Sequence, residues 1–312
     1  MRSRPFYAVK QMRKLQFTVP EAYDGVRLKG FLRGYCGVSA RLLTALKKEP
    51  HGISVNDAHA IVLEILHMGD VVTLQLPEDR KELPPAKIPL RIVYEDADVL
   101  VVDKPAGMPV HPSPGHDCDS LVNAVAAYFQ GKGERRSVRP VYRLDKDTTG
   151  VILLAKNAFA AARLAKGVHK MYLAVCEGVL QGSGTETGPI GLCPGHSIQR
   201  AVIPDGVPAV THWKAVSDNG AYTLLQVQIE TGRTHQIRVH MAHLHHPLAG
   251  DDMYRGGLEQ ICRQALHCAE IAFCHPVTGE RYCLFTPLPE DMRQLLVDFC
   301  PQDAQAFSGK SI

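Results

Sequence analysis

The hydrophobic and polar positions of the first 80 residues predict a small α+β unit. Apolar side chains recur at helical spacing in residues 28–32. Ser39 stands where an N-cap would stand before the apolar run at residues 41–46, which predicts a second short helix. Short β-type runs lie at residues 17–19, 53–56 and 71–76. Two helices and three strands are enough to form one small domain.

Beyond a proline-rich stretch, the pattern predicts more strands than helices. Residues 81–90 cannot lie inside a helix or a central strand, because three of the ten are proline. Further strands are predicted at residues 91–94, 99–103, 151–155, 171–176, 212–216, 222–230, 271–274 and 281–285, and helices at residues 121–129, 157–167, 234–245 and 290–299. The strands do not alternate regularly with the helices. We therefore expect an α+β fold with a mixed, largely antiparallel sheet flanked by helices.

These patterns divide the chain into five expected segments. They are an N-terminal extension (1–15), a small α+β domain (16–80), a proline-rich linker (81–90), a larger domain (91–300) and a C-terminal tail (301–312). A chain of 312 residues is long enough for two domains, each with its own core.

Composition adds a charge asymmetry between the two expected domains. Apolar residues make up 45% of the chain and charged residues 21%, which excludes a disordered, collagen-like or coiled-coil protein. The net charge is only +3, but the first 50 residues hold 11 Lys or Arg against 3 Asp or Glu. The first domain, at +8, is therefore a candidate for binding a polyanion, and the remainder is mildly acidic.

The nine cysteines and the length of the apolar runs indicate the cellular compartment in which the protein is expected. No two cysteines have C-x-x-C spacing, and their number is odd, so free thiols in a reducing cytosol are expected. No apolar run has the length of a signal peptide core or of a membrane span. We expect a cytoplasmic monomer without membrane contact.

The segment at residues 141–150, just before the apolar run at 151–155, is the first candidate for chemistry. Asp145 lies between Arg143 and Lys146, and these cations favour its ionised form, as a nucleophile or a base requires. The alternative is a surface turn, which is the more frequent role of such residues when spacing alone is considered.

The second candidate is the segment at residues 230–240, with Arg233, His235, Arg238 and His240. It combines a strand end, a turn and a helix start, and a helix N-terminus with such side chains suits phosphate binding. A solvated, capped helix is the alternative.

A cluster of histidines follows in the same helix. His240, His243, His245 and His246 invite a metal hypothesis, but the H-E-x-x-H pattern is absent. Packing or RNA contact is favoured, and we expect no metal. The phosphate loop, the dinucleotide fingerprint and the serine-hydrolase elbow are also absent from the sequence.

Four motifs in one order resemble the RluA family of RNA pseudouridine synthases. They lie at residues 102–112, 142–150, 170–172 and from 231–238 to 250–251, and the resemblance runs from residue 91 to 299. The first domain is similar to the alpha-L RNA-binding motif domain. This second resemblance is carried by residues 27–32, 38–41, 55–56 and 69–70.

The resemblance implies isomerisation of uridine to pseudouridine in structured RNA, without metal or organic cofactor. Large-subunit ribosomal RNA is the favoured substrate, because relatives with the appended domain commonly act there. Transfer RNA, or a non-catalytic RNA-binding protein in ribosome assembly, remain the alternatives. The family usually has His where Tyr142 stands and often Ser where Thr149 stands.

The resemblance also implies roles for individual residues. Asp145 matches the catalytic aspartate, and Arg238 pairs with it. Tyr172 stacks on the uracil and later serves the proton transfer at carbon 5. The implied substrate contacts are Leu266, packed against the ring, Arg143, which enters the RNA helix where the base leaves, and Arg233, His235 and Tyr142. Expected RNA contacts of the first domain are Arg27, Lys29, Arg33, Arg41, Lys47 and Lys48.

The chemical route of Asp145 stays open at this point. An ionised carboxylate could attack the anomeric carbon, add to the uracil ring or remove the 2′ proton of the ribose. In each case, Arg238 would keep Asp145 ionised in a partly desolvated site.

Overall fold

The structure, a computed structural model, describes residues 12–77, 83–134 and 136–296. Its first unit is a four-stranded antiparallel sheet with two helices. The strands are β1 (Lys14–Thr18), β2 (Ile53–Val55), β3 (Ala58–His59) and β4 (Val71–Gln75), in the order β1-β4-β2-β3. The helices are α1 (Leu28–Gly34) and α2 (Ala40–Leu46), preceded by a 3-10 turn at Glu21–Tyr23.

Local sequence accounts for both helices of this unit. The Ser39 hydroxyl accepts a hydrogen bond from the Leu42 amide at 3.2 Å, so the predicted cap of α2 is confirmed. Leu28, Phe31 and Leu32, which lie on one face of α1, are fully buried in the core beneath the sheet.

The larger unit is a ten-stranded sheet. Its main path runs in the order β10-β13-β14-β9-β15-β8-β6-β5, β16 pairs with β15, and β7 pairs with β8. The strands are β5 (Arg91–Glu95), β6 (Val99–Lys104), β7 (Arg139–Pro140), β8 (Thr149–Ala155), β9 (His169–Glu177), β10 (Ser183–Glu186), β13 (Thr211–Asp218), β14 (Tyr222–Ile229), β15 (Leu266–Cys274) and β16 (Arg281–Phe285), while β11 (Ile190–Leu192) and β12 (Arg200–Val202) form a separate hairpin.

Helices pack around this sheet. They are α3 (Leu121–Gly131), α4 (Ala158–Leu164), α5 (Gln236–His243) and α6 (Glu290–Leu295), with a 3-10 turn at Asp252–Tyr254. Only the β8–β15 pair is parallel among the described strand pairs, so the predicted α+β class with a mixed, largely antiparallel sheet is confirmed. The continuous apolar runs of β6 and β8 form the centre of the core, because they are buried on both faces.

The two units contact each other through α4. Phe159 of α4 is fully buried in the core of the first unit, 5.9 Å from the Phe17 ring. The Arg163 guanidinium donates to the Cys36 carbonyl at 2.8 Å, and Arg13 donates to both carboxylate oxygens of Asp98. These contacts hold the four-stranded sheet against the larger unit.

Three differences from the predicted elements have physical causes. Strand β15 begins at Leu266 rather than at residue 271, because its first residues pair with β9 and β8. A register shift between Cys268 and Glu270 also interrupts the alternation of apolar and polar residues along this strand. Helix α5 begins at Gln236 rather than 234, because His235 adopts a left-handed conformation with φ of 57°. Strands β10 to β12 were not predicted, since each has only three or four residues, too few to show a period.

Other predictions concern cysteines and the chain ends. The eight described cysteines are free, as expected, and Cys300 lies outside the described residues. Within the described ranges, no helix combines the length and the apolar character needed to cross a membrane. The last part of the helix predicted at 290–299, the tail at 301–312 and most of the extension at 1–15 also fall outside them.

Candidate active site

A buried lysine fixes the loop that carries Asp145. Lys104, at the end of β6, is fully buried, and its Nζ donates to the carbonyls of Pro105 (2.9 Å), Met108 (2.8 Å) and Lys146 (2.8 Å). Burial lowers the pKa of Lys104 to about 7, against the opposing charges of Asp147 and Asp145. The loop after β7 is therefore tied to the turn after β6.

A close approach of two strands brings β15 beside this loop. Gly150 has φ of 115°, and a Cβ atom there would lie 2.2 Å from the Cys268 carbonyl oxygen. Only glycine therefore permits β8 and β15 to pair at this point. This pairing places Leu266, the first residue of β15, at the side of Asp145.

Arg238 joins two carboxylates. Its Nε and Nη2 donate to the two oxygens of Asp251, each at 2.7 Å, and its Nη1 donates to Asp145 Oδ2 at 3.3 Å. The side chains of Arg238 and Asp251 are buried, and Asp145 keeps 18% of its side chain exposed. Burial opposes the charge of Arg238, but the hydrogen bonds and charges of Asp251 and Asp145 raise its pKa above the usual value. The guanidinium stays charged and points at the carboxylate of Asp145.

A cleft opens in front of Asp145, with apolar side chains on its walls. Tyr172 and Leu266, on the neighbouring strands β9 and β15, are 5% and 4% exposed. The cleft is lined by Arg143, Leu144, Asp145, Thr148, Tyr172, Ile229, Leu266 and residues 232–238. Burial raises the pKa of the Tyr172 phenol well above 10, so the phenol is neutral. A flat ring entering the cleft would contact apolar surface beside one carboxylate.

Positive charge surrounds the mouth of the cleft. Arg143 and Arg233 are exposed, and the Arg233 Nε donates to the Pro208 carbonyl at 3.0 Å. His235 lies deeper, with Nε2 4.0 Å from Asp145 Oδ2 and Nδ1 2.9 Å from the Tyr254 hydroxyl. The site thus combines exposed cations with a buried ion-pair network.

Tyr142 does not line the cleft. Its hydroxyl donates to the Val151 carbonyl of β8 at 2.7 Å, and the Lys170 ammonium lies 5.1 Å from its ring centroid. Burial raises its pKa well above 10. The side chain lies near Tyr172 and Cys268, where it supports the wall of the cleft rather than its surface.

The histidines of α5 and of the turn after it do not converge on one point. His240 is buried, with its ring nitrogens bonded to the Thr211 hydroxyl (2.8 Å) and the Gly188 carbonyl (2.9 Å). His246 Nδ1 bonds to the Glu177 carbonyl at 2.8 Å. Packing accounts for these two side chains, as the sequence favoured.

A different group could offer three metal ligands in the described part of the chain. Asp96, Asp98 and His275 bring their ligand atoms within 4.8 Å of one another. Asp98 already accepts hydrogen bonds from Arg13 and Asn157, and His275 Nε2 lies 2.9 Å from Asp96 Oδ2, within the group itself.

The six basic residues expected to contact RNA in the first unit are all exposed. They are Arg27, Lys29, Arg33, Arg41, Lys47 and Lys48. The Arg33 guanidinium donates to the Val38 carbonyl, so part of its hydrogen-bonding capacity is used within the protein. None of the six forms an ion pair with another described residue.

Residue patterns alone missed three contributors to this site. They are Lys104, which holds the loop of Asp145, Asp251, which holds Arg238, and Tyr254, which contacts both His235 and Arg238. Gly250 and Asp251 were part of a sequence motif, but the motif gave no role for either residue. The signal for Lys104 was a lysine at the end of a strand that begins with four apolar residues, where a buried charge is rare.

Comparisons with known proteins agree on one family. A sequence model described as RNA pseudouridylate synthase matches residues 98–243. The uncharacterized RNA pseudouridine synthase YjbO of Bacillus subtilis (strain 168) is 41% identical over 271 residues, which cover 84% of this chain and 96% of that protein.

Two further matches point the same way. The ribosomal large subunit pseudouridine synthase D of Xanthomonas campestris is 40% identical over 263 residues, covering 78% of this chain and 80% of that protein. Among solved structures, human RNA pseudouridylate synthase domain containing 1 aligns with a TM-score of 0.56 and 26% identity, over 73% of this chain and 98% of that one.

Proposed function

The chain belongs to the RluA family of RNA pseudouridine synthases, and from this premise we propose that it isomerises specific uridines of large-subunit ribosomal RNA in the cytoplasm, acting as a monomer. The observation that carries the proposal is the geometry of one carboxylate: Asp145 faces a cleft between Tyr172 and Leu266, with Arg238 donating to it at 3.3 Å.

The reaction needs few groups from the protein. The bond between ribose C1′ and uracil N1 breaks, the uracil turns while it is held, and C1′ bonds to C5. The C5 proton leaves, and N1 gains a proton, so no oxidant or reductant is required. One ionised carboxylate, a surface that holds the ring and partial exclusion of water are enough for this chemistry.

Asp145 supplies the carboxylate. Arg238 donates to its Oδ2 at 3.3 Å, and the two hydrogen bonds from Arg238 to Asp251 prevent the guanidinium from turning away. The same arrangement serves attack on C1′, addition to the uracil ring or removal of the 2′ proton, since each requires an ionised oxygen that faces the nucleoside.

Tyr172 and Leu266 hold the uracil between them. A neutral Tyr172 phenol suits stacking, because no charge has to be desolvated when the ring enters. When the C5 proton leaves, this hydroxyl oxygen accepts it while the phenolic hydrogen passes to a solvent water, so that no phenolate builds up. The proton that N1 gains comes from the same solvent. Tyr142, behind this wall, has a supporting role.

The target base must leave the RNA helix before it can reach the cleft. Arg143 is exposed at the mouth, where its guanidinium occupies the space left by the extruded base. Arg233 and His235 lie on the opposite rim and inner wall, in reach of the nucleoside and its phosphates.

Ribosomal RNA is proposed as the substrate for two reasons. Relatives at about 40% identity are named as ribosomal large subunit pseudouridine synthases D. The first unit also presents exposed arginines and lysines on a small separate fold, which suits docking to the phosphates of a structured RNA.

Release of tritium from RNA labelled at uridine C5 measures the reaction directly. The wild-type protein should release tritium from large-subunit ribosomal RNA, and Asp145→Asn should release none. Pseudouridine maps of RNA from cells with and without the gene identify the target. If pseudouridines are lost from transfer RNA alone, transfer RNA is the substrate. If no pseudouridine is lost, the protein is a non-catalytic RNA-binding protein.

A further inference from the structure

His235 adopts a left-handed backbone conformation that residues other than glycine rarely take. Its φ is 57° and its ψ is 22°, directly before the first residue of α5. Such left-handed residues cost conformational energy, and they cluster at functional sites because the surrounding structure holds them there. Here the conformation turns the imidazole into the cleft, where 10% of the side chain is exposed, instead of continuing the helix.

The Tyr254 hydroxyl fixes one end of this imidazole. The backbone N–H of Arg200 donates to the hydroxyl oxygen at 3.0 Å, so the phenolic hydrogen must find a different acceptor. His235 Nδ1, at 2.9 Å, is that acceptor among the described residues. Tyr254 is 6% exposed, and the Arg238 guanidinium lies 5.0 Å from its ring centroid, so the phenol has little freedom to turn.

The protonation state of His235 follows from its surroundings. Burial lowers its pKa to about 4, the charge of Asp145 opposes this shift, and Arg238, Arg143 and Arg200 lower the pKa further. The imidazole is therefore neutral at pH 7 and carries one proton. If Nδ1 accepts from Tyr254, that proton is on Nε2.

The other end of the imidazole faces the reactive carboxylate. His235 Nε2 lies 4.0 Å from Asp145 Oδ2, and Arg238 Nη1 donates to the same oxygen. No hydrogen bond to Asp145 Oδ1 is found among the described residues. Hydrogen bonds of active sites are often long without substrate and shorten in the complex.

We propose that Tyr254 and His235 form a positioning pair, in which the Tyr254 hydroxyl holds the His235 imidazole as its Nε2–H tautomer and aims that N–H at Asp145 Oδ2. Two donors, His235 and Arg238, then hold one carboxylate oxygen, and Asp145 Oδ1 is left to face the nucleoside. The proposal rests on the proposed function, in which Asp145 is the reactive group.

Nitrogen-15 NMR of the full-length protein with labelled histidine tests the tautomer without any activity measurement. The His235 signals, assigned by their loss in His235→Asn, should show the Nε2–H tautomer at pH 7. Tyr254→Phe removes the hydroxyl and keeps the ring beside Arg238, and it should shift His235 towards a mixture of tautomers. An Nδ1–H tautomer in the wild type, or an unchanged signal in Tyr254→Phe, overturns the proposal.

Kinetics test the consequence for Asp145. Tyr254→Phe and His235→Asn should each lower kcat by about 10- to 100-fold with little change in KM, because the carboxylate loses its orientation. Asn tolerates the left-handed backbone, so His235→Asn should fold. His235→Gln places an amide N–H near the position of Nε2 and should recover part of kcat. The matched control is Asp57→Asn, at an exposed left-handed residue of the first unit with φ of 63°, which should keep full activity.

The outcomes separate the two claims. An active wild type, an inactive Asp145→Asn and a fully active Tyr254→Phe would refute the positioning pair alone. A wild type without activity on RNA, or an active Asp145→Asn, would refute the proposed function, whatever the tautomer of His235.

Discussion

Replacement of Asp251 by Asn tests the buried network that orients Arg238. The substitution keeps the shape of the side chain and one acceptor oxygen, but it removes the charge and turns an amide NH₂ towards the guanidinium. In the wild type, Asp251 accepts two hydrogen bonds from Arg238, each 2.7 Å long, with both side chains buried. Among the residues that the structure describes, only Asp145, at 3.3 Å, would remain as a charged partner of the guanidinium.

The expected loss of stability follows from these contacts. A hydrogen bond to a charged group contributes about 1.5–3 kcal/mol, and removal of one partner of a buried ion pair costs about 3–5 kcal/mol. We expect the free energy of unfolding of Asp251→Asn to fall by about 3 kcal/mol, at the lower end because one acceptor oxygen is kept. The turnover number should fall about 10- to 100-fold, since the guanidinium is no longer held against Asp145.

Urea unfolding at 25 °C and tritium release from C5-labelled RNA measure the two effects in the same preparation. The matched control is Asp252→Asn, an exposed neighbour, whose free energy of unfolding should change by less than about 0.5 kcal/mol with full activity. If Asp251→Asn matches the wild type in both stability and turnover, the ion-pair network does not orient the catalytic carboxylate.

Three other predictions concern the loop, the first unit and the mouth of the cleft. The pKa of Lys104 is lowered to about 7 in the fold, so the unfolded chain binds more protons than the folded one between pH 7 and the usual pKa of lysine. The wild type should therefore gain stability relative to Lys104→Met as the pH rises above 7. A difference in unfolding free energy that stays constant with pH would contradict this. Neutralising Arg41 and Lys48 should reduce the slope of log affinity for RNA against log salt concentration by about 2. Arg281→Gln is the control variant, and a slope equal to that of the control would mean that the basic surface of the first unit is only solvated. Arg143→Gln should lower kcat/KM for a paired target uridine by about 10-fold or more and for a mispaired one much less, because the mispaired base leaves the helix at lower cost; equal losses would exclude a role in base extrusion.

Most strands and helices of the fold followed from residue patterns. The apolar runs of β6 and β8, and the caps Ser39 and Asn157, carry strong local signals, and the structure has the corresponding elements. The start of β15 could not be predicted, because its first residues become a strand only through pairing with β9 and β8. Tertiary contacts, rather than local preference, decide such segments.

The reactive residues of the candidate site could be predicted from sequence, but the residues that hold them in place could not. Asp145, between two cations, and Arg238, in a motif with two histidines, could be selected from sequence. Helix α5 buries polar side chains beside its apolar ones: Gln236, Arg238 and His240 are buried, since each has a polar partner on a neighbouring element. Those partners are distant in sequence, so periodicity carries no signal for them.

The central claim is that Asp145 is the reactive carboxylate of a uridine isomerase. Single-turnover tritium release, with an excess of enzyme over C5-labelled large-subunit ribosomal RNA, tests it most directly in the wild type and in Asp145→Asn. We expect complete release by the wild type, and release at the background level by a variant with the same unfolding midpoint and RNA affinity. Tritium release by Asp145→Asn at the wild-type rate would contradict the assignment.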